Sequence, residues 1–268
     1  MTQLPSPLGG EPPPERSLSR SPLKRVVAQA RFSSVLKIDS REAVAAFQEE
    51  VRSDYPLFEQ SIVQQLQIDI SAGAPGFRPV PTTVWRFRSA DLGDVVSLST
   101  DAVTFEAKGY GGRSQFLTRW RKVLGLVEDV FSPQLSLRLG MRYVNRVEGE
   151  SLSGLTEWIE DNLVGVAHPK LRDHVSQALS EASLSVEEGV LLLRWGILGA
   201  NVTIDPNLLE PLPQKSWILD IDVATNSPPR PFIEAELGSA FMALAGRAYA
   251  IFRYAITDQG LQHFGAAA

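Results

Sequence analysis

The sequence predicts an α+β fold: two pseudo-repeated β-α-β-β-β-β-α units, antiparallel sheets packed on long amphipathic helices. Three observations predict it. Apolar residues alternate with polar ones over many short runs, the period of half-buried strands. Two long stretches carry an apolar stripe at helical spacing, residues 113–131 and about 232–258, one closing each half. The order of element types in residues 23–133 recurs in residues 134–268.

The first 22 residues, MTQLPSPLGGEPPPERSLSRSP, are rich in Pro, Ser, Gly and charge, and read as a disordered tail with almost nothing to bury. VVAQARFSSV (26–35) is strand-like. SREAVAAFQEEV follows, with Ser40 as N-cap and Val44, Phe47 and Val51 spaced for one helical face. Alternation in QLQIDI, with Leu66, Ile68 and Ile70 on one side, predicts the next strand, and Asp69 on the other. A Gly/Pro loop over 71–81 separates it from TTVWRFRS. DVVSLST and AVTFEAKGY are joined by a tight turn at Thr100-Asp101. The stripe of Phe116, Leu117, Trp120, Val123, Leu124 and Val127 then makes the first long helix.

In the second unit LRLGMRYVNRV is a strand and SLSGLTEWIEDNL a short helix. HVSQALSEASLSVE and GVLLLRWGIL are strands, NVTI a weak fourth element, and SWILDIDVA an alternating strand. The closing helix places Leu237, Phe241, Leu244, Ala248, Ile251 and Phe252 inward and carries many small residues, Gly238 and Gly246 among them. Small side chains admit close approach of another helix, of sheet backbone or of a second copy of the chain.

With 44% hydrophobic and 21% charged residues among 268, the composition is that of a globular chain large enough for a real core. No apolar run reaches bilayer length, so no membrane association is expected. The absence of cysteine excludes disulfides, thiolate metal sites and cysteine nucleophiles, and suits a cytoplasmic location. A formal charge of -5 argues against binding nucleic acid over the whole surface.

The order strand, helix, four strands, helix resembles the TATA-binding-protein-like and helix-grip folds. PLKRVVAQARF, the DYP after the first helix, WRFRSAD, and LRLGMRYVNRV followed by LDID also resemble a sporadically distributed bacterial family of proteins of about this length with no assigned activity. The resemblance implies a bacterial protein, suits a defence-associated gene, and transfers no catalytic residue.

Candidate sites come from the strands. In LRLGMRYVNRVEGE, Leu137, Leu139, Met141, Tyr143, Asn145 and Val147 point to one face, the core, and Arg138, Arg142 and Arg146 to the other. Arg86 and Arg88 repeat the pattern in VWRFRS. If both strands share a sheet, five guanidiniums share a surface, and the guanidinium fork matches carboxylate or phosphate. The same arginines equally suit a solvated face paired with acids on neighbouring strands. Asp220 and Asp222 supply such acids, two carboxylates on one face of SWILDIDVA, a pattern that also serves Mg²⁺ or acid-base work.

Histidine offers little: His168 and His174 are six apart and share no helical face, and His263 reads as solvated. KGYGGRSQF places glycines before a helix, which reads as a strand-to-helix turn rather than a phosphate cradle. No motif asks for a cofactor. The expectation is a binding protein for a protein partner or a small anionic ligand, without chemistry of its own. On that expectation Arg142→Ala with Arg146→Ala removes binding and leaves the melting temperature nearly unchanged. The alternative is a metal-dependent phosphoryl-transfer or nucleic-acid hydrolase built on Asp220 and Asp222.

Overall fold

The computed structural model describes residues 6–69 and 76–266. Ten strands form one antiparallel sheet: β1 (Leu23–Phe32), β2 (Leu57–Asp69), β3 (Gly76–Arg88), β4 (Asp94–Ser99), β5 (Ala102–Ala107), β6 (Leu135–Glu148), β7 (Ala178–Val186), β8 (Gly189–Leu198), β9 (Ser216–Ala224) and the two-residue β10 (Arg230–Pro231). The order across the sheet is β2-β3-β4-β5-β1-β6-β9-β8-β7, with β10 paired to β6. β1 pairs with β6, so the strands of both halves belong to one sheet. The Gly/Pro loop expected over 71–81 is strand from Gly76 onward, because β3 keeps pairing with β2 through Gly76 and Asp69, while the side chain of Asp69 and residues 70–75 lie outside the described residues.

Three long helices cover one face: α1 (Arg41–Val51), α2 (Arg113–Phe131) and, after the short helical turns α3 (Leu155–Trp158), α4 (Asp161–Val164) and α5 (Pro169–Arg172), α6 (Glu234–Ala255). α7 (Asp258–His263) follows. Ser40 caps α1, its side chain accepting from the Ala43 amide at 3.4 Å. The expected stripes of α1, α2 and α6 are buried in one hydrophobic cluster with the alternate residues of the strands. Trp120 of α2 meets Phe241 of α6 edge to face at 5.3 Å, which locks the two longest helices over the sheet centre.

Two differences from the sequence reading bear on function. NVTI forms no strand. Residues 199–215 instead cross the sheet's other face, where Val202 and Ile204 join Val144, Leu198, Leu209 and Ile218 in a second small cluster. Pro206, Pro211 and Pro213 explain this, since each lacks the N–H a ladder needs. That second cover also buries the Arg146 side of β6.

Residues 6–22, expected as a disordered tail, lie against the folded body as a strap. The Arg20 and Ser19 amides donate to the carbonyls of Phe264 and Gly265, and Leu18 bridges to Ala266. Glu187 donates its amide to the Leu8 carbonyl. A Cβ at Gly246 would come within 2.7 Å of the Pro12 ring, so at least one small residue of α6 serves the approach of this strap. The strap is held by backbone groups and close packing, which a count of apolar side chains does not register.

Candidate ligand cavity and the arginine face

The sheet face away from the long helices carries the predicted charges. Arg142 on β6 grips Asp220 on β9 with two parallel bonds, Nε to Oδ1 at 2.8 Å and Nη2 to Oδ2 at 2.9 Å, and reaches Asp205 of the covering loop at 3.1 Å. Arg194 on β8 approaches Asp220 at 3.5 Å and holds Glu181 at 2.6 Å. Asp220 is 1% exposed. Arg146 is also buried, donating to Ser216 Oγ at 2.9 Å and to the Glu210 carbonyl at 2.6 Å. Asp220 in turn lowers the free energy of the charged Arg142, whose pKa is raised by this carboxylate and by Asp205 against the opposing effect of burial. These are internal partners that need no ligand, although the Nη2 of Arg146 is buried without an acceptor.

Arg86 and Arg88 share the face but not the cluster. β4, β5 and β1 lie between β3 and β6, four steps of about 4.8 Å, or roughly 19 Å. Arg88 donates to Glu59 at 3.1 Å and Arg86 to Ser61 at 2.5 Å, while the intervening Arg25 bonds Glu106 at 3.1 Å. The five arginines therefore form no single patch. Leu137, expected inward, is 45% exposed near the strand's start, where the β1–β6 register shifts at Arg31/Phe32.

Arg138 and Asp222 are different, for neither makes a hydrogen bond or ion pair among the described residues. Burial raises the pKa of Asp222, partly offset by the charges of Arg138 and Arg142. The sign is definite: a carboxyl whose folded pKa is raised costs nothing when protonated and opposes folding once ionised. Asp222→Asn is expected to raise the melting temperature at pH 7 by about 1–4 °C, the equivalent of roughly 0.5–1 kcal/mol. Calorimetry should show this gain vanish as pH falls below the ordinary carboxylate range; a gain that persists there would mean burial of charge is not its cause.

The paired aspartates do not fit a divalent cation. Both Asp220 oxygens accept from Arg142, and arginines approach the same face from β6 and β8. No group of three or more His, Asp or Glu is placed to hold a metal ion among the described residues. His263 is not solvated as expected, its ring stacking on Trp158 at 3.5 Å.

On the helix side of the sheet, residues missed by sequence reasoning line a half-open cavity of about 380 Å³. It is bounded by the strap from Glu15 to Ser21, Leu23 at the start of β1, the turn at Tyr110 to Gly112, Tyr143 and Asn145 of β6, and Ala248, Tyr249 and Phe252 of α6. Gly112 at φ 105° opens α2 with a conformation only glycine adopts freely. That turn places the Tyr110 hydroxyl 3.5 Å from the Tyr143 hydroxyl and within 3.1 Å of Glu15 Oε1, to which it donates. The Arg113 amide donates to both Glu15 oxygens at 3.1 Å. Across the cavity the Arg16 amide donates to the Tyr249 hydroxyl at 2.8 Å.

Burial pushes both phenols above their usual range, and for Tyr110 the adjoining Tyr143 and Glu15 add to it. They remain neutral donors at physiological pH. The Arg113 guanidinium lies 5.4 Å from the Tyr249 ring centroid, with Nε and Nη2 buried and lacking any hydrogen-bond partner. An orphan buried donor costs about 1–3 kcal/mol until something accepts from it. The sequence held one signal for this site: Tyr143 and Asn145 are polar-tipped residues on the core-facing side of β6, where a polar tip needs a partner.

No protein-family model matches the chain, and no curated protein matches its sequence. What the molecule does has to be read from its own residues.

Proposed function

We propose that this protein binds a small ligand in the cavity between the strap, β6 and α6, without chemistry of its own, and that the arginine face is structural. The half-open cavity carries the proposal. Its volume lies in the range of small-molecule sites, and it combines apolar walls with a few convergent polar groups. The arginine face lacks that character, because four of its five predicted arginines, Arg142, Arg146, Arg86 and Arg88, already have internal partners and only Arg138 has none among the described residues. A hydrolase on Asp220 and Asp222 is disfavoured because both oxygens of Asp220 already accept from Arg142.

We also infer an internal duplication. β1 and β6 stand side by side at the centre, and the remaining strands run outward as β5-β4-β3-β2 on one flank and β9-β8-β7 on the other. α2 and α6 close the two halves. The second half lacks the strand that the proline-rich 199–215 segment cannot form. The cavity then belongs to the seam, lined by the first strand and the last helix of the second half and by the turn before α2. Bacterial origin belongs to this reading through the family resemblance, and a cytoplasmic location through the absence of cysteine.

Titration with prodan, a neutral solvatochromic dye with an apolar body, tests the site. Saturable binding with a blue-shifted emission is expected. Ser21→Trp, at an exposed rim position, should weaken it about tenfold or more with the melting temperature held, and Ala248→Phe should weaken it from the opposite wall at some cost in melting temperature, since Ala248 is 1% exposed. Dye binding that neither variant alters would place the ligand elsewhere, and no saturable binding would remove the cavity as a site.

A further inference from the structure

The cavity contains an anion already, and it belongs to the protein's own strap. Glu15 presents its carboxylate to the Tyr110 hydroxyl and to the first amide of α2, the end of a 19-residue helix that favours negative charge. Yet Glu15 is itself exposed, while the groups that receive it belong to the folded body. Beside it Arg113 keeps two buried N–H groups with no acceptor, although a carboxylate's two oxygens match a guanidinium fork. Glu15 makes no ion pair with that guanidinium, which lies behind the cavity wall against the Tyr249 ring and is left unmet by the resident carboxylate.

We propose that the ligand is a small organic carboxylate with an apolar body, and that Glu15 holds the place of its carboxylate until the strap gives way. The proposal rests on the cavity being the ligand site. Displacing Glu15 leaves Arg113 and Arg16 as cations beside the cavity with the Tyr110 and Tyr143 hydroxyls facing it, a set that asks for one anionic group. The walls of Leu18, Leu23 and Phe252 ask for an apolar body behind it. The strap closes over such a ligand through groups remote from Glu15, namely the Leu18 bridge to Ala266 and the contact of Pro12 with α6.

Calorimetric titration of the full chain with 2-naphthoate and with the uncharged 2-naphthamide separates the parts of this proposal. In Glu15→Gln, naphthoate is expected to bind about tenfold more tightly than to the native chain, because the competing carboxylate is gone, and about tenfold more tightly than naphthamide. Arg113→Met and Tyr110→Phe should each reduce that preference while leaving naphthamide binding in place. Because Glu15 is exposed, a purely structural role would change the melting temperature and leave naphthoate affinity unimproved, which would overturn the proposal. Equal binding of the acid and the amide would overturn it while the cavity remains a ligand site. If Glu15→Gln binds prodan but neither naphthyl compound, the acid reading fails alone; loss of prodan as well removes the cavity reading beneath it.

Discussion

Asp220→Ala is expected to lower the melting temperature by about 6–20 °C, since removing one partner of a buried ion pair costs about 3–5 kcal/mol and each kcal/mol is worth about 2–4 °C in a domain of this size. The cost does not come from losing an attraction between exposed charges, which is worth little. It comes from what stays behind. Arg142 is fixed between β6 and β9 with two of its donors aimed at the vanished carboxylate, and Arg194 loses the same partner. Asp205 can satisfy only one branch of that cluster. Arg142→Met with Asp220→Leu removes both charges and is expected to recover most of the loss, as apolar replacements of buried pairs do. Differential scanning calorimetry of the two singles and the double gives the cycle. If Asp220→Ala melts within 2 °C of the native protein, the pair is not structural and the arginine face returns as a binding surface. By the same reasoning Arg142→Ala with Arg146→Ala is expected to destabilise strongly, the reverse of what a solvated binding floor would give.

Asp220 and Asp222 show how far a sequence reading can go. Alternation in SWILDIDVA assigns both to one face, and the structure agrees. It cannot say that Asp220 meets a bidentate arginine and Asp222 meets none, because that depends on register between β6 and β9, some 78 residues apart for Arg142 and Asp220. Helices α1 and α2 were legible because each is a local stripe with a local boundary. NVTI was misread because β-branched residues alone suggest a strand, whereas the prolines after it decide the path. The cavity was least legible of all. Its walls come from residues near 15, 110, 143 and 249, and alternation along β6 assigns Tyr143 and Asn145 a face without saying whether that face is filled. The strap failed for a related reason: composition weighs side chains, and this segment is held by carbonyls, amides and one glutamate.

Arg247→Met is expected to be as damaging as loss of Asp220, and to act at the strap. Arg247 sits on α6, 1% exposed, and gathers four acceptors: Glu188 at 2.8 and 3.0 Å, and the carbonyls of Pro7 at 3.1 Å and Gly10 at 2.9 Å, with Glu187 at 3.6 Å. Its partner Glu188, in the β7–β8 turn, is only 14% exposed in its side chain, so methionine leaves a largely buried carboxylate and two strap carbonyls without a donor. A loss of about 3–5 kcal/mol follows from the stranded charge. Arg247→Lys keeps the charge but cannot supply the fork, and should fall between native and methionine variants. Removing both charges with Glu188→Gln and Arg247→Met should restore part of the global stability. It should not restore the strap, because the two carbonyls remain unserved. Hydrogen exchange separates these effects: in the double variant the Ser19 and Arg20 amides, which donate to Gly265 and Phe264, should exchange faster than in the native chain while the amides of β1 and β6 keep their protection. Unchanged exchange at Ser19 and Arg20 would show that the Leu18 bridge and Glu15 hold the strap on their own, and that Arg247 serves only the turn.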